Sequence, residues 1–535
     1  MHNKHSSAEV LFAQKLIEEI NSNAINTPKE LEERRFFWSK KLKLSEMPSF
    51  PFVLSCTKNA SLKVRNLLSI KPTRSLSGVQ VIAVMLPPFP CPGKCTYCPS
   101  SLEGNISPKS YTGFEPSALR AQRLNYDPYE IVSNRIKQLD LTGNTAEKIE
   151  LIFQGSSFTA LPKRKQENVV LKSLNAITQK KTNSIVSAKR FAESSKRRVV
   201  GITFETRPDL CSKKDVKEML FLGGTRVELG VQNPSDEIYK RINRGHSVRD
   251  VVDSTKLLKD SAFKVLYHLM PGLPGSNYKI DLANFKKIFS DSNFMPDMVK
   301  FYPCLVIKGT KLYEDWKKGD YVPLTEDDAI KLLVEIKSFL PKWVRVMRVD
   351  RDIPSNVIEA GVKRTNLRQL VEKELELQRK KCNCIRCREI GLGMRFKPHD
   401  FSFEEELSKA KLNTEFYDAS MGEEAFISFE SKNHLFGFVR LRKPQDPFVF
   451  GLTKKTALIR ELHVYGKSLS LGEKDSLAAQ HQGLGKELMN EAQKIAKERF
   501  DSKRMAVISG LGVREYYKKN FGFKKKEPYM VKTLK

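Results

Sequence analysis

Val79-Gln80-Val81-Ile82-Ala83-Val84-Met85-Leu86 is followed closely by Cys91-Pro92-Gly93-Lys94-Cys95-Thr96-Tyr97-Cys98. The apolar run predicts a buried strand, so the three cysteines lie on the loop at its C-terminal end. Thiolates this close in sequence can converge on zinc or on an iron–sulfur cluster. Structural zinc takes four protein ligands, whereas three cysteines leave one iron of a [4Fe-4S] cluster open. A zinc knuckle and three incidental thiols are the alternatives.

Strand-like runs alternate with helical patterns from about residue 79 to residue 350. The strand-like runs are 79–86, 149–153, 199–204, 226–231, 264–270 and 298–302. Several are almost continuously apolar, as expected of parallel strands that are covered on both faces. The sequence therefore predicts an α/β fold with a parallel β/α barrel, complete or partial, whose site lies at the C-terminal strand ends. The cysteine loop lies at that end.

A second α/β domain is predicted near the C-terminus, with strands at 425–429, 435–441, 456–465 and 505–509 and a helix at 485–500. Gln480-His481-Gln482-Gly483-Leu484-Gly485 precedes the helix. Glycines let backbone N–H groups approach an anion, and a helix N-terminus adds its positive dipole. Glycines also mark plain turns.

The predicted organisation has four parts. Residues 1–75 form a basic, helical region that could bind RNA, 76–375 the barrel domain, 376–396 a cysteine-rich linker and 397–535 the second α/β domain. Cys382, Cys384 and Cys387 in the linker can supply three zinc thiolates, with a histidine such as His399 or His463 as the fourth ligand. Three buried thiols or a redox site are the alternatives. The position between domains favours a structural zinc that orders the linker.

The chain of 535 residues carries 93 Lys and Arg against 62 Asp and Glu, a net charge of +31. This excess predicts a polyanionic partner, nucleic acid first and an anionic membrane surface second. A merely lysine-rich composition is the alternative. The excess is sharpest from Pro162 to Arg198, with eleven basic residues against Glu167 and Glu193. Lys524 to Lys526 could add to it.

The N-terminal region interleaves basic residues with aromatic ones, namely Phe36, Phe37, Trp38, Phe50 and Phe52. These rings could stack on RNA bases or could equally form a core. No apolar run reaches the roughly 18 residues that span a bilayer, and the N-terminus lacks the apolar core of a signal peptide. We therefore expect a soluble, cytoplasmic protein that does not bind membranes.

The two glycine- and cysteine-based patterns resemble known signatures. Cys-x3-Cys-x2-Cys resembles that of radical S-adenosylmethionine (SAM) enzymes, and Gln-x-x-Gly-x-Gly resembles the pyrophosphate loop of GNAT acetyltransferases. Their combination resembles the catalytic subunit of Elongator, a family that modifies the wobble uridine of tRNA, in its single-chain archaeal or bacterial type. Further motifs that carry the resemblance are 110–116, 201–209, 225–232, 242–246, 270–275, 461–466 and 528–532. The resemblance runs over roughly residues 79 to 535.

The resemblance implies a reaction and its cofactors. Cys91, Cys95 and Cys98 would hold a [4Fe-4S] cluster that reduces SAM to a 5′-deoxyadenosyl radical. The radical would abstract hydrogen from the methyl group of acetyl-CoA, and the carbon radical would add to C5 of uridine 34 in the tRNA anticodon arm. Hydrolysis of the thioester would then leave a carboxymethyl group.

The resemblance also implies site residues. Acetyl-CoA would be bound by Lys148, Glu461, Leu462, His463, Val464, Leu484, Gly485, Lys486 and Tyr517. Tyr517 would be an acid near the thioester, with ordinary core packing as the alternative for Tyr516 and Tyr517. Glu205, Arg207 and Glu228 are candidates for holding SAM or the base, or they form structural salt bridges. Gln154-Gly155-Ser156-Ser157-Phe158 departs from the usual Gly-Gly-Thr-Phe turn, although Gly155 and Ser156 could still contact SAM.

Two other functions are compatible with these residues. The GNAT domain alone could serve as a protein lysine acetyltransferase, which would not need Cys91, Cys95 or Cys98. The chain could also be a non-catalytic RNA-binding scaffold. Its oligomeric state is open, with a homodimer or accessory subunits as possibilities.

Overall fold

The computed structural model describes residues 6–57, 60–69, 78–102, 104, 106–144, 146–392, 402–465 and 483–534. The predictions for His399 and for Gln480 to Gln482 lie outside these ranges. Among the described residues, no helix is long and apolar enough to cross a membrane.

Four helices precede the first sheet: α1 Ser7–Asn21, α2 Pro28–Lys41, α3 Phe50–Ser55 and α4 Leu62–Leu67. The predicted start of α2 is confirmed, because Thr27 accepts a hydrogen bond from Glu30 N while the Glu30 side chain caps Thr27 in return. Phe12, Leu16 and Ile20 on α1 form the centre of a small hydrophobic core of these helices. The predicted helical region is thus a packed helical unit.

The first sheet contains seven parallel strands in sequence order. Their bounds are β1 Val79–Met85, β2 Lys148–Gln154, β3 Arg198–Thr206, β4 Arg226–Gln232, β5 Lys264–Leu269, β6 Met298–Phe301 and β7 Arg345–Val349. Each strand pairs with the next, and in the described part of the chain β1 and β7 do not pair with each other. The sheet is therefore a partial barrel, which is one of the two predicted forms, complete and partial.

Helices alternate with these strands, as expected of repeated β/α units. They are α5 Pro116–Arg123, α6 Pro128–Leu141, α7 Lys163–Thr178, α8 Ile185–Glu193, α9 Lys213–Phe221, α10 Asp236–Arg241, α11 Val248–Asp260, α12 Tyr278–Ser290, α13 Lys311–Lys317, α14 Glu326–Phe339 and α15 Leu367–Leu377. A short helix, α16 Ile385–Arg388, contains the last linker cysteine.

The second sheet is mixed, with the order β13-β14-β12-β11-β10-β9-β8. Its strands are β8 Lys411–Ala419, β9 Gly422–Glu430, β10 Leu435–Lys443, β11 Thr456–Val464, β12 Arg504–Val507, β13 Lys524–Lys526 and β14 Tyr529–Thr533. Its helices are α17 Phe403–Ser408, α18 Leu484–Glu498 and α19 Arg514–Phe521. Lys524 to Lys526, predicted only as a basic cluster, is the exposed edge strand β13.

Buried ion pairs join the two domains. Arg442 Nη2 lies 2.6 Å from Asp260 Oδ1 on α11, and Arg460 Nη1 donates to Asp297 Oδ1 at 2.8 Å. Lys259 Nζ on α11 donates to Glu424 Oε1 on β9 at 3.2 Å. All of these side chains are fully buried, so separating the domains would leave uncompensated charges. The network fixes how the two sheets face each other.

Candidate active site

The three cysteines of the first loop line an open cavity of about 1100 Å³ at the C-terminal ends of the parallel strands. We call it the cysteine cavity. Its polar lining includes Gln154, Glu205, Arg207, Glu228 and His268. The predicted position of the loop, at the end of the barrel where sites of such folds lie, is therefore confirmed.

Polar groups surround the cysteine sulfurs. Arg244 Nη1 donates to Cys95 Sγ at 3.3 Å, and Ser110 Oγ lies 3.5 Å from Cys98 Sγ. Burial raises the pKa of the Cys98 thiol, so a bound metal would be needed to hold this sulfur as a thiolate. Cationic and hydroxyl donors beside the sulfurs fit a thiolate-bound cluster, whose potential such hydrogen bonds tune.

The loop packs so closely on Arg207 that a side chain at position 93 would displace the guanidinium group. A Cβ atom on Gly93 would lie 2.2 Å from Arg207 Nη1. Arg207 is held by a bidentate pair with Asp209, at 2.9 Å for each bond, and by the Arg244 carbonyl. Arg207 thus forms a salt bridge and also lies in the wall of the cysteine cavity, so both predicted roles, ligand contact and structural salt bridge, stay open.

Several residues that line the cysteine cavity have a buried polar atom without a hydrogen-bond partner among the described residues. These atoms are Ser156 Oγ, Arg207 Nη1 and Gln232 Oε1. Buried polar groups are normally satisfied, so these atoms fit a polar ligand in the cavity. A hydroxyl, a cation and a carbonyl suit the carboxylate and amine of a SAM-like molecule.

The turn after β2, which departs from the usual family pattern, reaches this cavity. Gly155 and Ser156 both have a left-handed backbone, with φ of 108° and 55°. A left-handed residue other than glycine is uncommon and marks a constrained position. Ser156 is one of the residues that line the cavity, whereas Gly155 is not among them.

Glu205, Glu228 and His268 bring their ligand atoms within 4.8 Å of one another, a group that could in principle hold a metal ion. The Lys300 ammonium already contacts Glu228, and His268 Nε2 lies 2.8 Å from the same carboxylate. Burial alone would raise the pKa of Glu228, but Lys300, His268 and Arg226 hold it well below its usual range. Burial raises the pKa of Glu205. Lys300 therefore supplies the cation at this group.

A second cavity, of about 1160 Å³, lies between the N-terminal ends of the parallel strands and the second sheet. We call it the interface cavity. From the second domain it is lined by Glu461, Leu462 and His463 of β11 and by Tyr517 of α19. β11 pairs with β12 over Thr456 to Ile459, so among the described residues the segment from Glu461 onward has no strand paired on that edge, and its first residues line the interface cavity. The structure thus brings the predicted acetyl-CoA residues of β11 and α19 together.

The start of α18 reaches the end of β11. A Cβ atom on Gly485 would lie 3.6 Å from Val464 Cγ2 and 2.9 Å from Tyr516 Oη. Leu484, Gly485 and Lys486 form the first turn of this helix, whose N-cap Gly483 provides no side-chain cap. Free N–H groups at a helix N-terminus bind anions. Tyr517 is nearly buried, and burial raises its pKa.

Lys148 and His463 lie in different parts of this region. Lys148 begins β2 and is on the same face of the strand as Glu150, which lines the interface cavity. Burial lowers the pKa of Lys148. The His463 ring stacks on Phe438 and Tyr465, and burial lowers its pKa to about 4. The imidazole is therefore neutral near pH 7.

Cys382, Cys384 and Cys387 converge, with their sulfurs within 4.8 Å of one another. His463, one of the two histidines considered as a fourth ligand, is not in this group. Lys337 Nζ lies 3.5 Å from Cys387 Sγ. Burial alone would lower the pKa of Lys337, but the three cysteines raise it. The thiols can hold one metal ion.

The basic run from Pro162 to Arg198 does not form one surface. Lys165 lies over the Phe89 ring near the cysteine loop, whereas Arg198 begins β3 at the opposite end of the barrel. Lys163, Lys172 and Arg197 are paired with acidic side chains. Lys189 is buried and donates to the Phe221 carbonyl. The charge near the cysteine cavity is thus smaller than the sequence count suggests.

The N-terminal aromatic residues divide between the two predicted roles. Trp38, Phe50 and Phe52 pack against the helical core. Phe36 and Phe37 are 66% and 44% exposed, and Arg34 stacks on Phe37. Only the exposed pair is available to stack on bases.

Two residues of the site carried no predicted role. Arg244 lies in the motif 242–246, and its contact with Cys95 spans 149 positions of sequence. Lys300 is a lone charge in the otherwise apolar strand β6, and a buried charge inside a strand is itself a functional signal. Such a lysine could have been singled out from the sequence.

Comparison with known families and proteins agrees with this arrangement. The Radical SAM superfamily matches residues 88–285, the Radical_SAM C-terminal domain matches 296–377, and the acetyltransferase (GNAT) family matches 394–523. The tRNA uridine(34) acetyltransferase of Methanocaldococcus infernus is 48% identical over 476 residues, which is 88% of each chain. Elongator complex protein 3 of Homo sapiens is 40% identical, over 88% of this chain and 86% of its own.

A solved structure shares both domains. It is that of archaeal Methanocaldococcus infernus Elp3 with an N-terminal deletion, which is 44% identical and has a TM-score of 0.75. The match covers 86% of this chain and 100% of that one.

Proposed function

The chain belongs to the family of tRNA uridine(34) acetyltransferases and Elongator complex protein 3, with a radical SAM domain and a GNAT domain, and from this premise we propose its reaction. It is an acyltransferase of that family. The proposed reaction uses SAM-derived radical chemistry and acetyl-CoA to install a carboxymethyl-type group at C5 of the wobble uridine of tRNA.

One observation carries this proposal: the cysteine cavity and the interface cavity lie at the two ends of the same partial barrel. A radical SAM domain implies SAM and an iron–sulfur cluster, and a GNAT domain implies acetyl-CoA. The buried ion-pair network holds the two domains, and with them the two cavities, in a fixed arrangement. Such an arrangement favours a reaction that uses both cofactors together.

In this proposal Cys91, Cys95 and Cys98 hold the cluster, which when bound supplies the electron that cleaves SAM. Ser156 and Gln232 bind the methionyl part of SAM, because both line the cavity and have a buried polar atom without a hydrogen-bond partner among the described residues. Gly155 shapes the turn, and Glu205 and Glu228 with Lys300 orient the ligand from the barrel side.

Acetyl-CoA occupies the interface cavity in the same proposal. The free edge of β11 from Glu461 to Val464 binds the pantetheine arm, and the first turn of α18 from Leu484 to Lys486 binds the pyrophosphate. Lys148 pairs with a phosphate. Tyr517, held protonated by its raised pKa, is the acid beside the thioester.

The remaining assignments are proposals of the same kind. The linker cysteines Cys382, Cys384 and Cys387 bind a structural zinc, supported by their convergence. The divisions at residues 75, 375 and 396 separate the tRNA-binding, radical SAM, zinc and GNAT units. The tRNA anticodon arm is the macromolecular partner, and a cytoplasmic location follows from that substrate.

Mass spectrometry of tRNA nucleosides tests the reaction. The reconstituted protein is incubated with tRNA, SAM, acetyl-CoA and a reductant, and each component is omitted in turn. We expect carboxymethyluridine only in the complete mixture. Its absence, with iron and SAM cleavage intact, would refute the proposed reaction.

A protein lysine acetyltransferase is the second candidate. It requires access from outside to the thioester, whereas the interface cavity opens onto the end of the barrel. Acetylation of a lysine peptide by wild type and Cys95→Ser alike, with no uridine product, would favour this alternative.

A further inference from the structure

The interior of the partial barrel lies between the two cavities. Side chains on a strand alternate between its faces, so residues two and four apart share the interior. Strands β2 to β5 each place an interior residue in the interface cavity and another in the cysteine cavity, and β6 does the same with Tyr302, the residue directly after it. These pairs are Glu150 and Gln154, Gly201 and Glu205, Arg226 and Glu228, Lys264 and His268, and Met298 and Tyr302.

Only one layer of side chains separates the two cavities. On β2, β3, β5 and β6 the intermediate interior residues are Ile152, Thr203, Leu266 and Lys300. On β4 there is none, because Arg226 and Glu228 are two residues apart. At about 3.3 Å per residue, the two cavities approach within roughly 7 Å along this strand.

The barrel interior at and between the two cavities carries several charged side chains, where such barrels are usually filled by aliphatic ones. Arg226 Nη1 lies 2.7 Å from Glu150 Oε1, and its Nη2 lies 3.3 Å from Glu228 Oε1. Glu228 contacts Lys300, which lies 3.9 Å from Glu205. A continuous chain of charges thus runs from one cavity to the other.

Packing of the barrel interior does not explain these charges. Buried ion pairs stabilise a fold no better than aliphatic residues of similar volume. In the part of the chain that the structure describes, the buried Arg226 Nε has no hydrogen-bond partner, a cost that an aliphatic side chain would avoid. A polar interior instead suits a space that a polar group enters.

We propose that the two cavities are the two ends of one lumen, and that the acyl end of the thioester enters this lumen from the interface cavity to reach the cysteine cavity. The proposal rests on the proposed function and specifies where its two halves meet. Tyr517 and Glu461 line the interface cavity at its entrance. Arg226, Glu228 and Lys300 are positioning residues along the lumen wall.

Gly201 offers a place to close the lumen. A Cβ atom there would lie 3.3 Å from Thr225 Oγ1 and 3.5 Å from Glu150 Cγ, so alanine fits with a small adjustment. Leucine would project further into the lumen at the interface-cavity end. Gly201→Leu is therefore the blocking variant, and Gly201→Ala is its matched control.

Binding to the protein without SAM gives the first test. CoA and acetonyl-CoA, a non-hydrolysable acetyl-CoA analogue, are titrated by calorimetry into wild type and both variants. We expect the affinity of Gly201→Leu for CoA to stay within about twofold of the wild-type value. We expect the ratio of its acetonyl-CoA affinity to its CoA affinity to be at least about fivefold lower than in wild type. An unchanged ratio in Gly201→Leu would overturn the proposal.

Isotope transfer gives the second test. Acetyl-CoA with a trideuterated methyl group is supplied with SAM and reductant, and deuterium is measured in the 5′-deoxyadenosine released. Wild type and Gly201→Ala should transfer deuterium, and Gly201→Leu should transfer at least about tenfold less while total SAM cleavage stays the same. Equal deuterium transfer by Gly201→Leu and wild type would contradict the proposed lumen.

Two further outcomes are distinguishable. If wild type transfers no deuterium, the proposed function fails rather than the lumen alone. If Gly201→Leu does not fold, as judged by circular dichroism and CoA binding, Val81→Trp replaces it. Val81 lines the interface cavity from the half-exposed edge strand β1, where a larger side chain is tolerated, and the same reduction in transfer is expected.

Discussion

Arg226 Nη2 and Glu228 Oε1 lie 3.3 Å apart on one strand, yet Arg226 lines the interface cavity and Glu228 lines the cysteine cavity. Along β4, this one ion pair therefore lies between the site proposed for acetyl-CoA and the site proposed for SAM. Both domains line the interface cavity, so a relative shift of an ångström between them would misalign the two sites.

The two cysteine groups should respond independently to substitution. Cys95→Ser should lose iron and lower uridine modification by at least about 100-fold, because the chemistry has no other route. It should keep zinc and acetyl-CoA binding. Cys384→Ser should lose zinc and keep iron, and Cys56→Ser, in the N-terminal helices, should lose neither. Metal analysis of the three variants checks this, and loss of both metals from either site variant would contradict it.

Arg244 should set the potential of the bound cluster. Its hydrogen bond to Cys95 Sγ is charge-assisted, and such bonds contribute about 1.5–3 kcal/mol, or on the order of 60–130 mV for a one-electron couple. Arg244→Met removes a positive charge, so we expect the potential to fall by that amount. Arg244→Lys should recover part of the shift. A redox titration followed by electron paramagnetic resonance measures it, and equal potentials in all three proteins would refute the role.

His463 should make stability depend on pH. Burial lowers its pKa from 6.5 to about 4, so between these values the folded state binds fewer protons than the unfolded state. Stability should therefore fall as pH drops through this window, by up to about 3 kcal/mol from this group. His463→Phe keeps a ring against Phe438 and removes the titration.

The thermal midpoint of His463→Phe should consequently fall less than that of wild type between pH 7 and pH 5. Parallel decreases in the two proteins would show that His463 titrates normally. Acetyl-CoA affinity in wild type should show no histidine step between pH 6 and pH 8, because the imidazole stays neutral throughout.

Phe36 should contribute to tRNA binding. Its side chain is 66% exposed, and stacking on a base is worth about 1–3 kcal/mol, or about 5- to 150-fold in affinity. Phe36→Ala should weaken tRNA binding by that factor without destabilising the helices. Leu11→Ala, at a 40% exposed apolar position on α1, is the control. The tRNA affinity is measured by filter binding. Equal losses in Phe36→Ala and Leu11→Ala would contradict a stacking role for Phe36.

Most of the fold was predictable from the sequence because the strands of the barrel are long apolar runs. β7 was missed, since Arg345 and Arg348 interrupt its apolar residues. β8 was missed because it is mostly exposed and its pattern is polar. β13 consists of three lysines, which have no strand signal of their own and pair only because β14 lies beside them.

The candidate site was predictable where local motifs carry it, as for the cysteine loop and the residues of β11. The contacts of Arg244, Arg226 and Lys300 were not, because they join strands that are far apart in sequence. Spacing within a motif does not reveal which side chains meet in a barrel interior. The opposite placement of Lys165 and Arg198 likewise depends on the direction of α7 and α8 between two strands.

The fate of the acetyl methyl group tests the account most directly. Wild-type protein is incubated with tRNA, SAM, reductant and acetyl-CoA that carries three deuterium atoms on its methyl group, and nucleosides are analysed by mass spectrometry. The account predicts one deuterium in 5′-deoxyadenosine and two in the carboxymethyl group at C5 of uridine 34. A modified uridine without deuterium, or none at all while SAM is cleaved, would contradict it.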